Sequence, residues 1–523
     1  FKKKLKNIKL KKKKTTHNMT AQVKREKSDL NCANKSTQYV KNCGKMLKRD
    51  FPILILSLFI LCGFFAFMQH AFRASVTIEE QALTKNSIKS VEANTVVLPA
   101  AEVFFGDELF EKELQSRQLI EPKDSREVKV FTESTNKVKN ETLGQRLKKL
   151  LKCNDRPLRL EKIQYGSYWL LRNYIRGTIS TSTGCADTVT LTTNGDYTFF
   201  DSLPFLTERW LAPISFALFA PGYDFEATLN SIQFVRNCLR ESKSIRDYVT
   251  FHIYFPATDM PEYAPITEKE AISWPYDCDA QPPYVDVDRS TMYKTEHNMT
   301  YPINVGRNIA RKSANTYFIF ASDIELYPTP ELPRLFLELV ERNRSVYLDN
   351  KELRVYTLPV FEVTKDSQVP ESKTELVEML HKHKAIPFHS KICKNCHLVP
   401  RHNEWVNSTD ANELSLFSQT KREGKFRYWE PFYISDNQEP MFDERVTWEG
   451  QSNKRIQGYA MCLMKYDYFV LHPAFLTHTP GIKYFDKNAT RLSYVPAMNK
   501  LIKTVIQPEY HILYGKKNKK CFT

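Results

Sequence analysis

Tyr317-Phe-Ile-Phe-Ala-Ser-Asp-Ile-Glu-Leu-Tyr327 runs directly into Pro328, and the reading of the whole chain turns on it. Four largely apolar residues of strand character lead into two carboxylates, Asp323 and Glu325. A proline-containing turn follows, then an amphipathic helical run over residues 330–341. In an extended segment residues i and i+2 face the same side, so both acids are expected to point at one place. At the end of a parallel strand that place is the open edge where α/β sheets bind ligands. Two convergent acids there suit a hard cation such as Mg²⁺ or Mn²⁺, which prefers oxygen ligands and shares them with substrate phosphates. Taken alone, D-x-E after a strand reads as a solvated turn, so the rest of the chain has to decide.

Outward from this stretch, strand and helix patterns alternate. Residues 188–193 are β-branched and extended, 203–210 helical, and 214–220 a buried strand closed by Pro221-Gly222. A helix over 225–239 and a strand over 248–254 follow, and a helix beginning after Pro302 leads into the Tyr317 strand. Beyond the acids come a strand over 354–363 and a helix over 372–383. Repeated βα units predict an α/β fold with a mostly parallel central sheet covered on both faces. Neither G-x-G-x-x-G nor G-x-x-x-x-G-K-[ST] occurs, so dinucleotide oxidoreductases and P-loop enzymes lack their motif.

The net charge of +16 over 523 residues suggests an anionic partner until its position is considered. Residues 1–50 hold 17 Lys and Arg against 3 Asp and Glu, which leaves the remainder nearly neutral. Nucleic-acid binding by the folded part therefore loses its main support. After this basic tail, residues 51–68 are uncharged and near the lower length limit for a membrane-spanning helix. Lys41, Lys45, Lys48 and Arg49 precede the run and only Arg73 follows closely, a bias that places the tail in the cytosol and the rest across the bilayer. A cleaved signal peptide is the competing reading, disfavoured by the long basic leader and the lack of a small-x-small pattern near Gln69. The expected organisation is a cytosolic tail over 1–50, a signal-anchor helix over 51–70, a polar stem over 71–160 and a lumenal domain over 161–523. Eight cysteines lie beyond the apolar run, an even number that suits an oxidising lumen and up to four disulfides. Sequons at Asn140, Asn298, Asn343, Asn407 and Asn488 agree with that side of the membrane.

Five segments follow one another along the chain: Thr188-Val-Thr-Leu-Thr-Thr193, Trp210-Leu-Ala-Pro-Ile-Ser215, Tyr301-Pro-Ile-Asn-Val-Gly-Arg-Asn-Ile-Ala310, Phe320-Ala-Ser-Asp-Ile-Glu325 and Phe469-Val-Leu-His-Pro-Ala-Phe-Leu-Thr-His478. In this order they resemble the family 49 glycosyltransferases, the group of the β-1,4-glucuronyltransferases and the glucuronyltransferase half of LARGE. The resemblance covers roughly residues 186–494. It implies a GT-A-like domain, a UDP-sugar donor, Mn²⁺ as cofactor and a Golgi type II membrane protein. It also implies His478 as the third metal ligand beside Asp323 and Glu325. The family's usual D-x-D is Asp323-Ile-Glu325 here, which keeps the oxygen ligand on a longer arm.

The remaining candidates follow from residue type and place. Arg307, with Asn304 and Asn308 on the same helix, suits a diphosphate or a donor carboxylate; a solvated helix face is the plainer reading. Thr192, Thr193 and Asp196 close the first strand, where a GT-A fold holds the nucleoside; an ordinary strand-to-helix turn would look the same. An inverting transferase needs a carboxylate to take the acceptor's proton, and Glu449, beside an acceptor-stacking Trp448, is the first choice, with Asp443 the second. Cys393-Lys-Asn-Cys396, with His389, His397 and His402 nearby, invites a zinc reading, but no second C-x-x-C accompanies it and a disulfide fits the compartment better. The expected activity is transfer of glucuronic acid from UDP-glucuronate to a xylose-ended or related glycan, with UDP-N-acetylglucosamine as the alternative donor. The expected partners are that donor and acceptor, the bilayer through one helix, and other glycosyltransferases in a complex. A catalytically silent glycan-binding protein of the same fold is the second hypothesis, kept open by the D-x-E.

Overall fold

The computed structural model describes residues 141–344, 353–393, 395–479, 481–482, 484, 490–516 and 518–523. The apolar run over 51–68 and the sequons at Asn140 and Asn488 lie outside them. Among the described residues no helix is long and apolar enough to cross a membrane.

The strands in chain order are β1 (Glu161–Tyr165), β2 (Tyr168–Ile175), β3 (Val189–Gly195), β4 (Ile214–Phe219), β5 (Val249–Pro256), β6 (Phe318–Ala321), β7 (Leu326–Pro328), β8 (Arg354–Leu358), β9 (Val360–Val363), β10 (Ala385–Pro387), β11 (Ser415–Thr420), β12 (Phe432–Ser435), β13 (Asp467–His472) and β14 (Leu476–His478). Ten of them form one sheet in the order β1-β2-β5-β4-β3-β6-β12-β8-β13-β11, and β10-β9-β14-β7 form a second. The middle of the large sheet, β5-β4-β3-β6, is parallel. Its strands β3 and β4 are buried at every position, as expected of strands covered on both faces.

The expected mostly parallel sheet is thus corrected to a mixed one. β12 returns antiparallel between β6 and β8, and the outer pairs β1-β2, β2-β5 and β11-β13 are antiparallel as well. Two single strands expected from sequence are each divided between the sheets. Residues 354–363 break at Pro359, which has no N–H to give a ladder. The 317–327 stretch leaves the large sheet after Ala321, turns with Leu326 N–H donating to Asp323 O at 3.1 Å, and enters the small sheet as β7. Asp323 and Glu325 therefore sit on a turn joining two sheets, so the alternation of an extended strand does not set their directions.

The folded part also takes in residues assigned to the stem. Helix α1 (Leu143–Leu151) opens with a capping box between Thr142 and Gln145 and buries Leu147. Arg146 reaches Glu341 at 2.8 Å, and Cys153 is bonded to Cys185. Cys238–Cys278, Cys393–Cys396 and Cys462–Cys521 complete four disulfides, so the C-x-x-C pair is oxidised rather than a zinc half-site. Helices α2 (Leu203–Trp210) and α3 (Asp224–Asn237) follow β3 and β4 as the βα pattern required. Helix α4 (Ile303–Ser313) packs Val305, Ile309 and Ala310 on Leu170, Ala217, Phe219 and Tyr254 of the sheet. Helix α5 (Leu332–Arg342) follows the acid turn, and α6 (Lys373–His381) and α7 (Asn453–Leu463) come later.

Candidate active site

Parallel pairing of β3 with β6 sets Thr192 opposite Ala321, and Ser322 N–H donates to Thr192 O at 3.1 Å. The acid turn is thereby fixed at the carboxyl edge of both strands. Its first acid is engaged by two cations. Arg307 Nη2 lies 3.1 Å from Asp323 Oδ1 and Lys454 Nζ lies 2.9 Å from Asp323 Oδ2. Burial opposes charge on this carboxyl, yet Lys454 and then Arg307 hold it well below the usual carboxylate range. Burial pulls the Lys454 ammonium down in turn, with Asp323 acting against it.

Arg307 is itself held, by Asn304 Oδ1 at 3.1 Å and Asn453 Oδ1 at 2.8 Å, and it lies over the Phe442 ring. The polar face of α4 does not meet solvent. A segment spanning residues 437–453 covers it, and the asparagines hold that segment in place: Asn304 donates to Asp443 O and Asn453 O, and Asn308 donates to Phe442 O and Glu444 Oε1. Arg311 closes the same face through a fully buried pair with Glu439 at 2.9 Å.

His478 ends β14, and β14 pairs with β7, which starts just after the acid turn. Its Nε2 lies 3.9 Å from Glu325 Oε2. The imidazole is buried, and neither ring nitrogen has a hydrogen-bond partner. Such an orphaned donor is costly unless it serves a ligand. Oxygen from Glu325 and nitrogen from His478 suit Mn²⁺, whereas Asp323 is turned to Arg307 and Lys454. Among the described residues no three His, Cys, Asp or Glu side chains lie close enough together to hold a metal ion. Phe388 and His389 pack on His478, with His397 packed on both of them, and His472 lies apart, with its Nε2 against Lys373 Nζ at 3.0 Å.

The other candidates are spread along the same edge. Thr192 and Thr193 are buried with unpartnered hydroxyls. Asp196 caps the turn after β3 through Thr198 N–H and pairs with Lys294. Tyr301 donates to Asn194 Oδ1 at 2.7 Å and accepts Trp448 N–H at its backbone oxygen. Glu449 receives the Tyr301 N–H at 3.0 and 3.2 Å, while Trp448 is 43% exposed. Asp443 is committed to Arg445 at 2.9 and 2.7 Å, with Tyr510 OH at 3.3 Å. Of the sequons, Asn298 and Asn407 are exposed, and the Asn343 amide donates to Leu339 O at 2.8 Å. Sequence reasoning missed Lys454, Tyr301 and Lys294. A lysine beginning a helix 131 residues after its acid carries no local signal.

The family model described as "Glycosyl-transferase for dystroglycan" matches residues 188–515, well over half of the chain. Beta-1,4-glucuronyltransferase 1 of Danio rerio is 26% identical over 322 residues, which is 60% of this chain and 72% of the relative. The Homo sapiens protein of the same name is 24% identical over 367 residues, 68% of this chain and 82% of the relative. The xylosyl- and glucuronyltransferase LARGE2s of Danio rerio is 27% identical over 213 residues, 40% of this chain and 26% of the relative.

Proposed function

This chain belongs to the family described as glycosyl-transferase for dystroglycan and is a glycosyltransferase, and from that premise we propose that it transfers glucuronic acid from UDP-glucuronate, with inversion, to a xylose-ended or related glycan. One observation carries the reading. Arg307 and Lys454 converge with Asp323 at the carboxyl edge of parallel strands β3 and β6, beside Glu325 and His478, which is the make-up that a doubly anionic nucleotide bearing an acidic sugar requires. The names of the relatives, β-1,4-glucuronyltransferases among them, support the choice of sugar.

Glu325 and His478 would hold Mn²⁺, joined by Asp323 once Arg307 and Lys454 release its carboxylate to a donor anion. When bound, it would neutralise charge on the departing diphosphate. The protein's own groups supply the rest. Thr192, Thr193 and Asp196 line the strand end where the nucleoside is placed. Glu449, oriented by the Tyr301 N–H, takes the proton of the acceptor hydroxyl, and exposed Trp448 offers a ring face to the acceptor sugar. Asp443, saturated by Arg445, fixes the segment that carries Glu449 instead of acting as the base. The membrane anchor and the lumenal side belong to the same proposal, supported by the charge bias around residues 51–68 and by the sequons, and the Golgi and assembly with other glycosyltransferases extend it.

UDP release measured with UDP-glucuronate and with UDP-N-acetylglucosamine, on a xylose-ended acceptor, with Mn²⁺ and with chelator, tests the reading. UDP-glucuronate is expected to be used and to require the metal. Turnover of the N-acetylglucosamine donor in its place would overturn the donor assignment, and an undiminished rate in chelator would overturn the metal.

A further inference from the structure

We propose that Arg307 and Lys454 form the seat for the carboxylate of the donor sugar, and that Asp323 keeps this seat by lending it an internal carboxylate. The inference rests on the glucuronate-donor reading and adds to it the residue that selects an acidic sugar, Lys454.

The two cations take one oxygen each of the same carboxylate, at 3.1 and 2.9 Å. Both are fixed independently of it. Arg307 is held by Asn304 and Asn453, and the Lys454 ammonium lies 3.7 Å from the centre of the Phe432 ring. Their side chains are 7% and 16% exposed, whereas that of Asp323 is 37% exposed on a turn, so the anion is the exchangeable member of the trio. Glu430, the other acid lining this space, is committed to Arg455 at 3.1 and 3.0 Å and does not compete.

The cavity behind the trio is small and carries unpartnered polar groups. Thr192 Oγ1 and Trp429 Nε1 both belong to residues that line it, both residues are at least nine-tenths buried, and neither atom has a hydrogen-bond partner. One hydroxyl or carboxylate oxygen reaching into it would satisfy such groups. The enclosed room is about 30 Å³, on the order of one water. That suits the exchange of one carboxylate for another and is too small for a diphosphate. A neutral hexose, with a hydroxymethyl group where glucuronate has its carboxylate, gains nothing by displacing Asp323. The pair therefore favours the acidic donor by at least about tenfold, the usual worth of a hydrogen bond to a charged group.

The test compares UDP-glucuronate with UDP-glucose in the full-length protein. UDP release is measured for the wild type, Lys454→Met and Lys454→Arg, with affinity for UDP alone read by calorimetry. Lys454→Met is expected to shrink the preference for UDP-glucuronate at least tenfold, chiefly through KM, while Lys454→Arg keeps most of it and UDP affinity changes little. UDP-glucuronate should also raise the wild-type melting temperature more than UDP-glucose does, a readout that does not depend on any variant folding. An unaltered preference in folded Lys454→Met, or equal stabilisation of the wild type by the two donors, overturns the inference. A parallel loss of UDP affinity overturns it in favour of a diphosphate site. A wild type that turns over other donors but not UDP-glucuronate removes the donor reading itself, an outcome distinct from the other three.

Discussion

The carboxylate of Glu449 receives the backbone N–H of Tyr301 at 3.0 and 3.2 Å, tying the segment after β12 to the chain just ahead of helix α4. The tie orients an acid without neutralising it. By contrast, both carboxylate oxygens of Asp443 are engaged by the Arg445 guanidinium. Glu449→Gln keeps an oxygen for the Tyr301 N–H and removes only the ability to take a proton. Its kcat should fall by about 10²–10⁴ with little change in melting temperature. Asp443→Asn should lower stability more than kcat. Activity of Glu449→Gln within threefold of the wild type would remove Glu449 as the base.

The metal assignment predicts a graded series. Asp323→Asn keeps shape and removes charge, so activity should fall by about 10²-fold or more, the effect of losing several kcal/mol of leaving-group stabilisation. His478→Ala should act in the same direction. Glu325→Asp should retain some Mn²⁺-dependent turnover that Glu325→Ala lacks. Mn²⁺ should also raise the melting temperature of the wild type but not of His478→Ala. Full activity of folded Asp323→Asn in chelator would dismiss the site.

Helix α1 is tied into the folded part. Leu147 is buried and Cys153 is bonded to Cys185, so a chain beginning near residue 156 loses a core side chain, the Arg146–Glu341 pair and a disulfide. Loss of the disulfide alone should cost about 2–4 kcal/mol. A secreted chain beginning at residue 141 should therefore unfold at higher urea than one beginning at 156. Equal midpoints would place α1 outside the cooperative unit.

Burial pushes His252 down to about 3 and His402 down to about 4. Both folded values lie below the ordinary histidine range near 6.5, so the unfolded chain binds more protons once the pH drops beneath that range. The stability is present above about pH 6.5 and is lost as pH falls toward 4. Each such histidine adds up to about 1.4 kcal/mol per pH unit to that slope. His402→Gln should flatten the stability profile between pH 6 and 4.5 by about that amount, measured by urea unfolding, and an unchanged slope would contradict the neutral, buried state.

How much of this was legible in the sequence depended on whether the cause was local. The β3-α2-β4-α3-β5 alternation announced itself through β-branched runs and amphipathic periods, and so did the helix behind Pro302. The path of the chain after Ala321 did not. Ser322-Asp323 could continue a strand or begin a turn, and only pairing of β7 with β14, some 150 residues later, decides for the turn. The polar face of α4 reads as ligand-facing because its cover, residues 437–453, is far away in sequence and irregular. Two of its polar residues, Asn304 and Asn308, turn out to hold that cover, while Arg307 reaches through to the acid. Thr142-x-x-Gln145 was a legible capping signal inside a stretch whose charge read as a stem.

Arg311 and Glu439 test that cover most directly. Their side chains are fully buried, 2.9 Å apart, with Ser435 Oγ donating to the acid and Asn437, Glu439 and Pro440 accepting from the guanidinium. Removing one partner leaves a charge in low dielectric with nothing to compensate it, a loss of about 3–5 kcal/mol. Arg311→Met should therefore lower the urea midpoint far more than a surface arginine such as Arg240→Met, which should be close to neutral. Removing both charges, in Arg311→Met with Glu439→Leu, should recover much of the loss, because the desolvation of two ions no longer has to be offset. Arg311 also anchors the segment that brings Asn453 and Lys454 to Asp323, so the single variant should lose affinity for UDP-glucuronate at temperatures where it is still folded, and the double variant should regain less affinity than stability. Recovery of both in equal measure would mean that the pair holds the fold together without positioning the site.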